Sequence, residues 1–309
     1  MRADNIAIRT SGLTRYFGHK AALRGLTLDI PRGQVTALVG HNGAGKTTLI
    51  RMLLGLLPPT RGRSELLGHD SQSLTPEVRT RVGYLAEGHF LWGWMRVRDT
   101  ARLQRETFPR WDQPLFDAML KFFGVTPDAR VRQISRGQRA GVSLAMTLAT
   151  DPELLILDDP SMGLDPVARR ALVEGLLAFA RRDDRTILIC THLLDDVERL
   201  ADRIAIISNG QLLVDAGLAE FRERVGGWTI DADFGAQQAA QIPGLVDSRQ
   251  LRERTHLVVA DPDQETVAAI QRISGTARRE ELTLKDAVLA YLRPSAMVGS
   301  ISAALENTR

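Results

Sequence analysis

The chain has 309 residues, 44% of them hydrophobic and 25% charged, a composition typical of a globular protein with one sizeable core and a second small one. With 40 basic and 37 acidic residues its net charge is only +3, so a nucleic-acid partner is not expected. A single cysteine excludes an internal disulfide and suits a reducing compartment. The first residues lack the apolar core of a signal peptide, and no stretch approaches the ~20 apolar residues that span a bilayer. The sequence therefore predicts a cytoplasmic protein, or one held at a membrane by another chain.

A complete phosphate-binding loop of the form G-x-x-x-x-G-K-[ST] follows a β-like run over residues 34–39. A helix is predicted directly after it, over 48–57, with its positive end facing the loop. The glycines let consecutive backbone N–H groups curl around phosphates, while Lys46 supplies a charge and the Thr47 hydroxyl a ligand for Mg²⁺. The pattern predicts a nucleoside triphosphate site. Its residues are Gly40, His41, Asn42, Gly43, Ala44, Gly45, Lys46, Thr47 and Thr48.

Strand-like and helix-like segments alternate along the first two thirds of the chain. Residues 5–80 contain strand-like and turn-like segments together with the phosphate loop, and residues 88–150 read as helical, with one helix beginning near Ser135. Strand signals return over 154–157, 186–190 and 203–207. This alternation predicts an α/β core with a parallel sheet and a helical insertion over about 88–150.

The character of the sequence changes after Gly226-Gly227. Short strands are predicted over 228–234 and 256–260, and amphipathic helices over 264–273 and 284–292. These elements predict a small α/β accessory domain over 227–294, followed by a loosely held tail over 295–309. No catalytic cluster stands out in this domain, so a structural or dimer-supporting role is the default hypothesis.

Further motifs distinguish among the kinases, GTPases, helicases and transporter motors that share such a loop. An apolar strand ends in Asp158, the arrangement that holds Mg²⁺ through water beside a phosphate loop. The other motifs are Ser135-Arg136-Gly137-Gln138, Asp159-Pro160-Ser161-Met162-Gly163-Leu164-Asp165-Pro166, and Thr191-His192 after the next apolar strand. In order and spacing the chain resembles the ATP-binding-cassette (ABC) ATPases over residues 5–222.

The resemblance implies a phosphate-loop NTPase cassette with a mostly parallel sheet core, an antiparallel β subdomain and a helical insertion, to which the C-terminal α/β appendage is added. It also implies ATP and Mg²⁺ as cofactors. Two chains would pack head to tail, so that each ATP lies between the phosphate loop of one chain and the signature sequence of the other. Because the chain carries one cassette, it would form a homodimer or a heterodimer with another ABC ATPase.

Each motif residue takes a role from the resemblance. Phe17, with Tyr16 as the alternative, would stack on adenine, and Thr47, Glu87 and Asp158 would serve as metal ligands. Asp159 would polarise the attacking water. Ser135, Gly137 and Gln138 would contact the γ-phosphate of the ATP bound to the other chain. Asp165 would communicate across the dimer, and His192 would contact the γ-phosphate of its own site.

Three positions depart from the usual family pattern. Asp159 stands where the family has glutamate, Glu87 where it has glutamine, and Arg136 where it has the first signature glycine. The shorter Asp159 predicts slow or partner-assisted hydrolysis, because a small misplacement of a reacting group can cost on the order of 10²-fold in rate. Glu87 and Arg136 resemble the branch that serves multidrug and antibiotic exporters with separate permease chains.

The function predicted is therefore the ATP-hydrolysing subunit of an ABC transporter of the exporter branch. The subunit would be bound to the inner face of the membrane through permease subunits. Residues 88–95 are rich in aromatic side chains and would either fill the core of the insertion or receive a helix of the permease. Two alternatives remain open. One is a soluble regulatory or repair ATPase of the ABC type, and the other is a nucleotide sensor with very slow hydrolysis.

Overall fold

A computed structural model describes residues 5–182, 185–231, 234–251 and 254–293. The chain divides into two compact units, the first ending at Asp215 and the second beginning at Ala216. The boundary predicted near 222–227 lies later in the chain, and the tail predicted over 295–309 falls outside the described residues. The predicted domain limits and their roles stay predictions.

The first unit contains ten strands and seven α-helices among its described residues, and the last of these strands continues two residues beyond Asp215. In chain order they are β1 (Ile6–Phe17), β2 (Lys20–Pro31), β3 (Val35–Val39), α1 (Lys46–Leu53), β4 (Arg61–Leu66), β5 (His69–Asp70), α2 (Pro76–Thr80), β6 (Val82–Leu85), α3 (Val97–Thr107), α4 (Gln113–Phe122), α5 (Arg136–Ala149), β7 (Leu154–Asp158), α6 (Pro166–Ala180), β8 (Thr186–Thr191), α7 (Leu194–Leu200), β9 (Arg203–Ser208) and β10 (Gln211–Gly217).

The central sheet has six strands in the order β10-β9-β3-β8-β7-β6. Strands β6, β7, β8, β3 and β9 pair in parallel, and every residue of β3, β7 and β8 is buried. Strands covered on both faces read as continuous apolar runs, which is why the sequence pattern found them. Their parallel arrangement brings the ends of β3, β6, β7 and β8 to one edge, where loops from several strands converge.

A second sheet of four strands, in the order β2-β1-β4-β5, forms an antiparallel layer. Its apolar residues, such as Leu13, Leu26 and Leu66, share one core cluster with Leu49 and Ile50 of α1 and with Ile156 of β7. The phosphate-loop helix is thus packed between the two sheets. The parallel core, the antiparallel layer and the helical region together confirm the fold class predicted from the sequence.

The predicted helical insertion holds three helices, α3, α4 and α5, but not over its whole length. Residues 88–96 form turns and extended chain before α3 begins. Helix α5 begins where the sequence predicted it, because Ser135 and Gln138 form a capping box in which each side chain bonds the backbone of the other residue.

The second unit consists, within the described residues, of α8 (Leu218–Arg224), β11 (Val225–Ile230), α9 (Ala236–Ala239), β12 (Leu245–Leu251), β13 (Arg254–Ala260), α10 (Gln264–Ile273), β14 (Arg278–Glu280) and α11 (Leu284–Leu292). Its antiparallel sheet has the order β12-β13-β11-β14. From β11 to β14 this is the β-α-β-β-α-β arrangement of ferredoxin-like domains. Trp228, Leu257 and Ile270 lie at its core.

No helix among the described residues of either unit is both long enough and apolar enough to cross a membrane.

Candidate functional site

The phosphate loop connects the buried strand β3 to helix α1, and two of its glycines are required by the space around them. A Cβ atom on Gly40 would lie 2.5 Å from the carbonyl oxygen of Ile207. Gly45 has a φ of 110°, and a Cβ there would lie 2.6 Å from the carbonyl oxygen of Ala22. Only glycine fits these positions. The absence of side chains at Gly40 and Gly45 therefore lets the loop backbone fold closely against its neighbours next to the N-terminus of α1.

Lys46 is buried and folds back across this loop. Its Nζ atom donates to the carbonyl oxygens of Gly40 at 2.7 Å and His41 at 3.3 Å. It forms no ion pair with a carboxylate among the described residues. A buried ammonium without an anionic partner favours an anion in its neighbourhood, so this position of Lys46 is compatible with a phosphate in the loop.

Asp158 ends β7 beside the loop, and its carboxylate is buried. The Thr47 hydroxyl donates to Asp158 Oδ1 at 3.3 Å. Burial raises the pKa of Asp158, with further upward contributions from Asp159 and Glu87, whereas Thr47 and Lys46 oppose the shift. The Thr47 hydroxyl and the Asp158 carboxylate thus meet at the end of the phosphate loop, within reach of the charges of Asp159 and Glu87.

This donor set fits a hard divalent cation. Hydroxyl and carboxylate oxygens are the ligands of Mg²⁺, which is usually held by one or two protein groups together with substrate phosphates. In the described part of the chain no group of three or more His, Cys, Asp or Glu side chains is arranged to hold a metal alone. The raised pKa of Asp158 indicates a carboxylate that a cation would stabilise in its charged form.

Asp159 and His192 lie in direct contact at the ends of neighbouring strands. His192 Nδ1 lies 2.8 Å from Asp159 Oδ1, and the Asp159 N–H donates to the Cys190 carbonyl at 2.9 Å. Asp159 has a φ of 44°, in the left-handed region that non-glycine residues rarely adopt. Its carboxylate is nearly buried, while the His192 ring is partly exposed. The residue predicted to polarise water is therefore paired with the residue predicted to reach the γ-phosphate.

The signature residues form no hydrogen bond or ion pair to the phosphate loop within the parts of the chain that are described. Ser135 Oγ accepts from the Gln138 N–H at 3.1 Å, and the Gln138 side chain donates to the Gly124 carbonyl at 3.0 Å. Gly137 lies against α6, where a Cβ would stand 2.7 Å from the Cβ of Ala168. Ser135, Gly137 and Gln138 thus form a cluster separate from the phosphate loop, and their role at a shared nucleotide site stays a prediction.

Asp165 is the N-cap of α6, since its Oδ1 accepts from the N–H groups of Val167 at 2.9 Å and Ala168 at 3.0 Å. Arg136 donates through Nη2 to the Met162 carbonyl at 3.4 Å, and its guanidinium fills the space in front of Gly163. The structure places the charged group of Arg136 against a loop of the same chain.

Phe17 and Tyr16 are both about half exposed at the end of β1. The Arg15 guanidinium lies 5.0 Å from the centre of the Phe17 ring and also donates to the Pro58 carbonyl at 2.9 Å. Arg15 therefore restrains the ring predicted to stack on adenine. This contact was not predicted, and the pairing of β1 with β2 is irregular between Arg15 and Tyr16.

The aromatic segment 88–95 does not fill the core of the insertion. Phe90, Trp92 and Trp94 are 88%, 59% and 71% exposed, so the core-filling interpretation is wrong for these three rings. His89, next to Phe90 in the chain, is buried, and neither of its ring nitrogens meets the geometry of a hydrogen bond with the described residues. Burial lowers the pKa of His89, and the Pro160 carbonyl opposes this shift.

Three more residues near the centre were missed. Ser161, Arg169 and Asp196 are joined by hydrogen bonds directly behind Asp159 and His192. They come from three separate segments, so no local pattern could have linked them.

Comparisons with known proteins agree with this geometry. The sequence model of the ABC transporter family matches residues 23–162. The chain is 33% identical over 301 residues to the daunorubicin resistance ATP-binding protein of Streptomyces coeruleorubidus. The aligned region covers 94% of this chain and 93% of the relative. It is 35% identical over 215 residues to the Nod factor export ATP-binding protein of Bradyrhizobium diazoefficiens, with 68% of this chain and 70% of the relative covered.

A mammalian relative is much longer. The ATP-binding cassette sub-family A member 7 of Rattus norvegicus is 35% identical over 209 residues, which is 65% of this chain but only 10% of the relative. A solved structure, described as the ATP binding subunit of an ABC transporter, superposes with a TM-score of 0.64 at 26% identity and covers 70% of this chain and 92% of that one. With a phosphate loop, a buried strand ending in Asp158 and relatives of matching length, the chain belongs to the ATP-binding subunits of the ABC transporter family.

Proposed function

We propose that this chain binds and hydrolyses ATP to drive separate permease subunits of a transporter, and that the transporter is an exporter. The observation that carries the proposal is the convergence of Lys46, Thr47 and Asp158 with the Asp159–His192 pair at one edge of the parallel sheet. The exporter assignment is supported by the relatives named for drug resistance and Nod factor export.

ATP binding uses the loop and the aromatic end of β1. The N–H groups of residues 43–48 and the Lys46 ammonium would surround the phosphates, with the N-terminus of α1 adding its partial positive charge. Phe17 would stack on adenine with Arg15 behind it. Thr47, Asp158 and Glu87 would hold Mg²⁺ together with phosphate oxygens. When bound, Mg²⁺ neutralises charge that develops on the β- and γ-phosphate oxygens.

Hydrolysis requires a group that orients water and a group that contacts the γ-phosphate. The Asp159 carboxylate would orient the water and accept its proton. With a hydrogen on each ring nitrogen, His192 would donate through Nδ1 to Asp159 and through Nε2 to a γ-phosphate oxygen. Because aspartate is shorter than glutamate by one C–C bond, about 1.5 Å, we infer slow or partner-assisted hydrolysis.

The complete site needs a second chain. Ser135, Gly137, Gln138 and Asp165 of a facing copy, or of another ABC ATPase, would close on the γ-phosphate and so make ATP part of the dimer contact. The exposed rings of Phe90, Trp92 and Trp94 would bind the permease, since aromatic clusters of this kind are enriched at protein interfaces. The protein would then lie on the cytoplasmic face of the membrane without entering it.

Complementation between two inactive variants tests the shared site. Lys46→Ala removes the phosphate-loop charge, and Ser135→Arg blocks the signature half-site. Each variant alone should lose MgATP hydrolysis, whereas an equal mixture should recover part of the native rate, because one of the two sites in a mixed dimer is intact. Arg170→Ala, which removes an exposed ion pair with Glu174, serves as the control. No recovery in the mixture would contradict the shared site.

A nucleotide sensor is the second candidate, favoured by the short Asp159 and its engagement with His192. Phosphate release over many turnovers separates the two functions. A motor releases many phosphates per chain and stops doing so in Asp159→Asn, whereas a sensor binds ATP and releases at most one. A native rate in Asp159→Asn would remove Asp159 from the proposed role.

A further inference from the structure

A buried network of polar side chains lies behind the Asp159–His192 pair. Asp196, on the first turn of α7, is 4% exposed. Its Oδ2 accepts from the Ser161 hydroxyl at 3.0 Å, and Ser161 is itself 3% exposed. The Arg169 side chain of α6 donates through Nε to Asp196 Oδ1 at 2.9 Å and Oδ2 at 3.1 Å.

This network joins the same two segments as the Asp159–His192 contact. Ser161 follows Asp159 by two residues, and Asp196 follows His192 by four. The loop after β7 and the segment after β8 are therefore held together at two points, once at the candidate catalytic pair and once at the buried network. Arg169 holds the Asp196 carboxylate in place, because a buried carboxylate is stable only when it is paired and hydrogen-bonded.

The backbone at Asp159 explains why a second point of attachment matters. Its φ of 44° is a conformation that costs free energy for a non-glycine residue and persists only where the surrounding contacts enforce it. The Asp159 N–H bond to Cys190 is one such contact. The Ser161–Asp196 bond is another, on the other side of Pro160.

We propose that Asp196 is a positioning residue, which through Ser161 holds Asp159 in its strained conformation against His192. The inference rests on the proposed function, since it concerns the rate of the hydrolysis assigned to that pair. It adds that the geometry of the pair depends on the Asp196 carboxylate, which is bound by Ser161 and Arg169.

The simplest test removes one hydroxyl. Ser161→Ala keeps the Asp196–Arg169 ion pair and deletes only the bond to the loop of Asp159, so it should fold. In the purified full chain with saturating MgATP, kcat should fall on the order of 10-fold or more. The dissociation constant for a fluorescent ATP analogue should change less than about 2-fold, because Ser161 lies outside the phosphate loop. The measurement is made well below the unfolding temperature of each variant.

Asp196→Asn and the double variant complete the test. If Asp196 acts through Ser161, kcat of the double variant should equal that of the slower single variant instead of showing the product of both effects. Arg170→Ala on the same helix α6 should leave kcat and KM unchanged.

The outcomes separate the inference from the proposed function. Native kcat in Ser161→Ala, with Lys46-dependent hydrolysis in the native chain, would overturn the inference and leave the proposed function intact. A loss of kcat matched by an equal loss of nucleotide affinity would overturn it too, because the network would then only support the fold. Absence of Lys46-dependent hydrolysis in the native chain would overturn both.

Discussion

Glu153 offers a prediction that links the helical region to the catalytic strand. It precedes β7 and accepts two hydrogen bonds from the Arg81 guanidinium, at 2.9 and 2.7 Å, and one from Arg110 at 3.3 Å. Arg110 belongs to the connection between α3 and α4. Since β7 has five residues, each rising about 3.3 Å, this ion-pair cluster lies at the far end of the strand from Asp158.

The change Glu153→Gln removes the charge and keeps the shape. Charged hydrogen bonds contribute about 1.5–3 kcal/mol when shielded from water, but the Glu153 side chain keeps 30% of its accessible surface. We therefore expect a loss of about 1 kcal/mol at pH 7, which lowers the Tm of the first unit by about 2–4 °C. Nucleotide affinity should stay unchanged, because the substitution lies at the opposite end of β7.

The dependence on pH gives the sharper test. The Arg81 hydrogen bonds lower the pKa of Glu153 from its ordinary value of 4.5. A carboxylate with a lowered folded-state pKa contributes stability that is present above its unfolded pKa and is lost as the pH falls through the folded-state pKa. The Tm difference between native chain and variant, measured by calorimetry, should thus be constant above about pH 5 and shrink on further acidification.

Glu174→Gln is the matched control, since Glu174 forms an exposed ion pair with Arg170 on one helix. It should cost no more than about 0.5 kcal/mol. A Tm difference for Glu153→Gln that is no larger than the control at pH 7, or that grows as the pH falls, would refute the reasoning.

Two further predictions concern the nucleotide and the permease. Thr47→Val deletes the hydroxyl that lowers the pKa of Asp158, so nucleotide binding in the presence of Mg²⁺ should weaken about 10–100-fold and fail at a higher pH than in the native chain. Binding without Mg²⁺ should be unchanged, and titrations of a fluorescent ATP analogue with and without EDTA measure both. Trp92→Ala and Trp94→Ala, which alter exposed rings, should change stability by less than about 0.5 kcal/mol while reducing the amount of permease that co-purifies from membranes. Equal loss of ATP binding would contradict the assignment of these rings to the interface.

Secondary-structure elements whose bounds depend on residues close in sequence could be predicted from the sequence. Helices α10 and α11 have the bounds predicted for them, because their apolar faces and caps are local features. Helix α1 ends at Leu53 although a helix was predicted to continue to residue 57. The reason is Gly55, whose φ of 69° ends the helix one residue after its C-cap.

Features set by contacts between distant residues were not readable. Gly226 and Gly227 were interpreted as a change of domain, yet both lie inside β11. A Cβ on Gly226 would stand 2.6 Å from the Trp228 ring, so the glycine makes room for a core side chain. Strand β12 was missed because, as an edge strand with polar residues, it shows no clear alternation. In the candidate site the motifs pointed to Lys46, Thr47 and Asp158. They did not predict the hydrogen bonds of these side chains, such as the Lys46 bonds to the Gly40 and His41 carbonyls.

The rate of ATP hydrolysis could be set by the length of the side chain at residue 159 or by its contact with His192. The substitution Asp159→Glu distinguishes these two causes. The added methylene extends the carboxylate by about 1.5 Å into a space where His192 Nδ1 already lies 2.8 Å from Asp159 Oδ1, so one of the two side chains has to move. The His192 side chain is 43% exposed and free to do so, whereas the residue at 159 is enclosed. We therefore expect the glutamate to approach the water and kcat to rise, on the order of 10-fold, with nucleotide affinity unchanged. A fall in kcat would mean that the Asp159–His192 contact, not the length of the side chain, sets the rate of hydrolysis, and the prediction of an enzyme slowed by its short carboxylate would be wrong.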